Sequence, residues 1–188
     1  MGAKEKKSLR DPIQLRTFDK VTGLLQVVVE TPAGSRNKFS YDPEQGAYHI
    51  KSVLPAGMTF PFEFGFVPQT KADDGDPIDV LLLMDEPAYP GVVVRARLIG
   101  VIEGEQNDQE KKGKRVRNDR LVGVSDVSHE YANIQKFKDL PEKWLDEIEK
   151  FFVNYAGQQG KDFRVIGVKG ADDAMALVQR ARKNGKQG

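Results

Sequence analysis

The sequence predicts an α+β domain: a closed or nearly closed β-core with helices packed outside it. Three observations predict it. Short β-branched and aromatic runs recur between residues 24 and 127, separated by Gly, Pro, Asn and Asp. Two segments with helical apolar spacing close the chain, and no repeat or low-complexity linker divides it. A length of 188 residues suits one domain with a sizeable core. Residues 1–20 are polar and are expected to form a flexible N-terminal segment, leaving 21–188 as the domain.

The elements follow in order. Residues 24–30 read as a strand that Thr31-Pro32-Ala33-Gly34 breaks. A strand pair brackets the turn composition Pro43-Glu44-Gln45-Gly46. Residues 58–67 concentrate aromatics around Pro61 and Gly65. Further strands are expected at 78–84, 92–103 and 121–127, with the charged stretch 104–119 as a long hairpin loop. Pro141 is placed at the first position of a helix in which Trp144, Leu145, Ile148, Phe151, Phe152 and Tyr155 share a face. A short strand at 163–168 precedes a second helix, about 171–184, that groups Ala174, Leu177, Val178 and Ala181 and stops at Gly185.

Bulk composition narrows the function classes. A net charge of +1 gives no overall bias toward nucleic acid or an anionic membrane, so any electrostatic function must be local. With no Cys there is no disulfide framework, thiolate nucleophile or Cys-ligated zinc, which fits a cytoplasmic location. The N-terminal residues are too charged for a signal peptide, and no apolar run approaches the ~20 residues of a membrane span.

Asp74-Gly75-Asp76-Pro77-Ile78-Asp79 carries the chemistry. Gly75 permits a sharp turn and Pro77 extends Asp76, so three carboxylates collect at the mouth of the following strand. Like charges this close repel unless a cation compensates them, and hard divalent cations such as Mg²⁺ prefer oxygen ligands. A solvated Asp-Gly turn is the plain alternative for Asp74 and Asp76. Asp79 tips the balance toward a metal site, because an acid inside the apolar run Ile78 to Leu83 is costly without a partner.

At these residues the chain resembles the family I soluble inorganic pyrophosphatases, whose signature is Asp-x-Asp-Pro-x-Asp-Val, as a divergent member. Supporting features run in the family's order from about residue 24 to residue 182, including Val27 through Pro32, Phe64-Gly65-Phe66-Val67-Pro68 and Asp139-Leu140-Pro141. The resemblance implies a five-stranded, OB-like β-barrel with flanking C-terminal helices and Mg²⁺-dependent hydrolysis of pyrophosphate to two phosphates. It also implies a homo-oligomer.

The same resemblance implies roles. Asp74 and Asp79 would hold Mg²⁺ together with an oxygen from Asn118 or Asp119, which the alignment leaves open. Asp76 would be the general base or an outer-sphere ligand, and Glu30 would hold a further metal through water or merely end its strand. Lys38, Arg120 and Tyr155 would contact phosphate. Departures from the family pattern stand at Ser40, Phe60, Phe64, Asn118 and Ala156. They motivate a second reading, a larger phosphoanhydride such as a nucleotide. A third is a non-enzymatic OB-like module binding nucleic acid through residues 111–117, but that run lacks the interleaved aromatics on which bases stack.

Overall fold

The computed structural model describes residues 11–107 and 113–185. Among the described residues nine strands form two sheets, and five of them close a ring. β1 (Leu25–Thr31), β4 (Glu63–Phe66), β5 (Asp79–Leu83), β8 (Arg120–Ser125) and β6 (Val93–Asn107) pair in that order, and β6 returns to β1. All the ring pairings are antiparallel except β5 with β8. This is the expected five-stranded OB-like barrel. β2 (Asn37–Asp42) and β3 (Ala47–Val53) form a separate hairpin around the turn at Pro43–Gly46.

Apolar alternation explains how the ring is held. In β5, Val80 and Leu82 enter one buried cluster while Leu81 and Leu83 enter another. Both faces of this strand are therefore covered, which is why its sequence reads as an unbroken apolar run. The first cluster includes Val27 and Val29 of β1 and is capped by Ala174, Val178 and Ala181 of α2 (Ala171–Gly185). The second is capped by Trp144, Ile148, Phe152 and Ala156 of α1 (Trp144–Gln158). Each fully buried Val, Leu or Phe in such clusters contributes about 1.5–3 kcal/mol relative to exposure.

Three expectations are corrected. Residues 104–107 continue β6, and β7 (Arg115–Arg117) pairs with them, so much of the supposed loop is strand. β9 (Phe163–Gly170) occupies the other edge of that extension. The charges that suggested a loop are cross-strand ion pairs: Arg117 with Glu103 (2.9 Å), and Arg115 and Arg164 with Glu105 (2.6 and 2.5 Å). Pro141 is not the first helical residue. It lies in a turn upstream, its carbonyl accepting from the Trp144 N–H (2.9 Å), and α1 runs past Tyr155 to Gln158. Residues 11–20 are docked rather than loose. Thr17 is buried and donates to the Pro68 carbonyl (3.0 Å), and Phe18 bridges to Leu25. Residues 1–10 lie outside the described residues.

Gly65 has a steric reason to be glycine. A Cβ there would lie 2.2 Å from the backbone oxygen of Val28 on the paired strand. Gly65→Ala should therefore force β1 and β4 apart and destabilise the protein by roughly 1–3 kcal/mol. A urea midpoint equal to that of the unsubstituted protein would refute this close approach.

Candidate active site

The carboxylate turn is fastened at both ends before the sheet begins. Thr70 donates its hydroxyl to the Val67 carbonyl (2.6 Å) and accepts from the Ile78 N–H (3.0 Å). Between these anchors the chain reverses at Gly75 (φ 95°), with Ala72 N–H donating to the Asp76 carbonyl (2.7 Å). Asp74 accepts from the Asp76 N–H (3.3 Å), a local bond typical of Asx turns. Asp79 follows as the first residue of β5, where the parallel register sets it beside Arg120 of β8.

Glu30 and Lys38 reach the same place by different routes. Between β1 and β4 the register slips across Val29 and Thr31, so Glu30 is the extra residue of a bulge. Bulges re-aim side chains, and here the Glu30 carboxylate accepts from Lys38 Nζ (3.1 Å), the Tyr41 N–H (2.9 Å) and the Ser40 hydroxyl (3.4 Å). A cleft of about 470 Å³ is lined by Asp74, Asp76 and Asp79, by Glu30 and Lys38, and by Asn118, Arg120 and Tyr155. Every expected site residue except Asp119 therefore faces one space. Asp119 points elsewhere, pairing with Arg117 (2.9 Å) and accepting from the Gly104 N–H (3.0 Å).

Electrostatics in the cleft are strained. Burial raises the Asp79 pKa to about 7, against the pull of Arg120 and Lys38. Burial also pushes the Asp74 carboxyl up and the Tyr155 phenol up, and it lowers the Arg120 guanidinium. Carboxylates that resist ionising this way favour a cation. Among the described residues, no three acidic, imidazole or thiol side chains are gathered into a ready-made cage. An open set of oxygens still suits a hard divalent cation that keeps part of its water shell.

The family model described as inorganic pyrophosphatase matches residues 27–186. The chain belongs to the inorganic pyrophosphatase family. Relatives named inorganic pyrophosphatase include one from Thermus thermophilus, 37% identical over 164 residues, covering 87% of this chain and 90% of the relative. Another, from Synechocystis, is 35% identical over 164 residues, covering 87% and 93%. The crystal structure of the inorganic pyrophosphatase from Thermus thermophilus superposes with a TM-score of 0.83 at 33% identity, over 94% of this chain and 99% of that one.

Several residues of this pyrophosphatase-family cleft were not legible in the sequence. Lys51 lines it because β2 and β3 slip register, Lys38 facing Ser52 and Phe39 facing Ile50, which leaves Lys51 as the extra residue. Gln106 lines it from the part of β6 expected to be loop, and Ile13 from the segment expected to be flexible. Lys161 joins them from the turn after α1. Periodicity carries no signal for a bulge, and only the charge of Lys51 and Lys161 could have hinted at phosphate. The basic run 111–117 behaves differently. Arg115 and Arg117 are held by Glu105, Asp162, Glu103 and Asp119, while residues 111 and 112 lie outside the described residues.

The Asp79 shift has a stability consequence in metal-free protein. With a folded pKa of about 7 and an ordinary value of 3.8, the folded state keeps a proton that the unfolded state has released. Stability from this group is therefore greatest below about pH 4 and declines as pH rises to 7. In EDTA, Asp79→Asn should raise stability at pH 8 by on the order of 2–4 kcal/mol, with the gain vanishing near pH 4. Melting curves of both proteins at the two pH values test the sign; a destabilised Asn variant at pH 8 would contradict it.

Proposed function

We propose that this chain hydrolyses inorganic pyrophosphate to two orthophosphates with Mg²⁺. The observation that carries the reading is the juxtaposition of the Asp74–Asp79 carboxylates with two buried cations, Lys38 and Arg120, in one cleft. Such a site can hold a compact polyanion and a divalent cation together, as phosphoanhydride cleavage requires. Asp74, Asp79 and Asn118 would hold the metal. Magnesium, when bound, supplies charge neutralisation at the phosphate oxygens and acidifies water.

The chain's own groups do the rest. Lys38 and Arg120 draw the phosphates to the floor of the cleft, and Tyr155 adds a hydroxyl donor from α1. Asp76, on the exposed turn, accepts the proton of the attacking water at a carboxylate oxygen. Glu30 fixes the Lys38 ammonium and keeps lone pairs for water. A location in the cytoplasm, suggested by the cysteine-free composition, and assembly into a homo-oligomer, carried by the family resemblance, complete the reading. Among the described residues, no helix is long and apolar enough to cross a membrane.

One observation favours the larger-substrate reading. Lys51 and Lys161 also line the cleft and could meet phosphates beyond the two at Lys38 and Arg120. Phosphate release from pyrophosphate, tripolyphosphate and ATP, each with and without Mg²⁺, separates the two. Fast release from pyrophosphate alone supports the first reading; preference for ATP or tripolyphosphate supports the second. No release from any of them, across Mg²⁺, Mn²⁺ and Zn²⁺, would end both.

Two substitutions sharpen the site. Asp79→Ala should abolish turnover while the fold survives, and near-normal turnover would remove Asp79 from the metal set. Asn118→Asp should lower the Mg²⁺ concentration for half-maximal rate, because a full charge replaces an amide dipole at the cleft wall. Asp119→Asn should leave that requirement unchanged while weakening the tie to Arg117. The reverse pattern in Mg²⁺ titrations would assign the ligand to Asp119.

A further inference from the structure

Both buried cations of the cleft lie against aromatic faces, and only Lys38 also has a carboxylate partner among the described residues. Lys38 Nζ stands 4.2 Å from the ring centroid of Phe64 and 5.9 Å from that of Phe60. Arg120 Cζ stands 4.0 Å from the Phe152 centroid and 4.5 Å from that of Phe163. Both side chains belong to residues only 6% exposed. Lys38 has one carboxylate partner, Glu30. Arg120 is within ion-pair distance of no carboxylate among the described residues; it donates one bond to the Asn118 carbonyl (3.1 Å), and its Nε has no partner there. The four rings come from the 58–66 segment, α1 and β9, and share one apolar cluster.

A ring face attracts a cation through its quadrupole without cancelling the charge. A carboxylate would hold the same cation more strongly, but it would have to be displaced, or left repelling, when phosphate arrives. At Arg120 the rings therefore fix position and leave the charge unpaired, while at Lys38 the Phe64 face shares the positioning with Glu30. We propose that Phe64 and the Phe152–Phe163 pair are positioning residues for the reaction, holding Lys38 and Arg120 ready to bind phosphate. This rests on the reading that those two cations contact the phosphates. Phe152 and Phe163 do not line the cleft and lie behind Arg120, whereas Phe64 lines it beside Lys38. Phe64 has no hydroxyl, so its ring face is what it offers the cation.

The test uses the full chain with Mg²⁺. Orthophosphate binding is measured by calorimetry, and KM and kcat for pyrophosphate by phosphate release. Phe64→Leu and Phe152→Leu should each weaken orthophosphate binding and raise KM by roughly three- to tenfold, with kcat changed far less. Phe64→Tyr, which keeps the ring face, should restore both. Ile148→Val controls for packing loss, since Ile148 lies in the same cluster and is not among the rings that face Lys38 or Arg120; it should leave binding unchanged. Melting curves confirm that each variant is folded at the assay temperature. Leucine variants that bind orthophosphate like the parent, or an Ile148→Val protein that loses as much, would overturn the proposal. Lys38→Met and Arg120→Met distinguish the levels. If they weaken binding and the leucine variants do not, only the aromatic role fails; if they too bind normally, the reading beneath it fails as well.

Discussion

Asp79 and Arg120 stand side by side because β5 and β8 are the one parallel pair in a ring of otherwise antiparallel strands. Parallel strands start at the same end, so the first residues of both open onto the same rim. The turn that delivers the chain to β5 brings Asp74 and Asp76 to that rim, and the approach to β8 brings Asn118. An antiparallel pairing here would have sent acid and base to opposite ends of the barrel. Both strands are buried along almost their whole length, so this adjacency sits at the edge of the packed core. Everything else at the cleft is arranged around that fixed adjacency.

Holding charges in such a place is costly, and the protein spreads the cost unevenly. Glu30 pairs with Lys38, with Tyr41 and Ser40 filling further acceptor sites on the carboxylate. Asp79 is left uncompensated enough that its carboxyl clings to a proton, while Arg120 leans on Phe152 and Phe163. Charge frustration of this kind disfavours the folded chain taken alone and rewards occupancy by a cation and a polyanion. The site is thus poised by what it lacks as much as by what it contains.

Most of the barrel was legible in the sequence, and the reason is physical. Runs such as Val27-Val28-Val29 and Val80-Leu81-Leu82-Leu83 have few places to go except a sheet buried on both sides, and the helical spacing from Trp144 onward allows one apolar face. The charged stretch after residue 103 was read as loop because ion pairs between Glu103, Glu105, Arg115 and Arg117 look identical, in one dimension, to a solvated segment. For the site, the acids and their turn were plain, since Asp79 breaks an apolar pattern. The choice between Asn118 and Asp119 was not. The two lie in the short link between β7 and β8, where no strand alternation applies, and the contacts of Asp119 with Arg117 and Gly104 are visible only in three dimensions. Lys51 escaped notice because sequence periodicity carries no sign of the one-residue slip between β2 and β3 that leaves it lining the cleft.

The ring also sets how this chain must come together. Its last seam joins β1 to β6, elements far apart in sequence, and β6 alone pairs with β1, β7, β8 and β9. Contacts of such long sequence separation carry the largest loop-closure entropy and form late, so folding belongs to the slow regime of non-local β topologies. Until β6 is in place the edges of β1 and β8 are open, and each is a strongly apolar strand able to template another chain. Closing the barrel therefore removes, in one event, both the entropic bottleneck and the exposed edges through which a newly made molecule could aggregate.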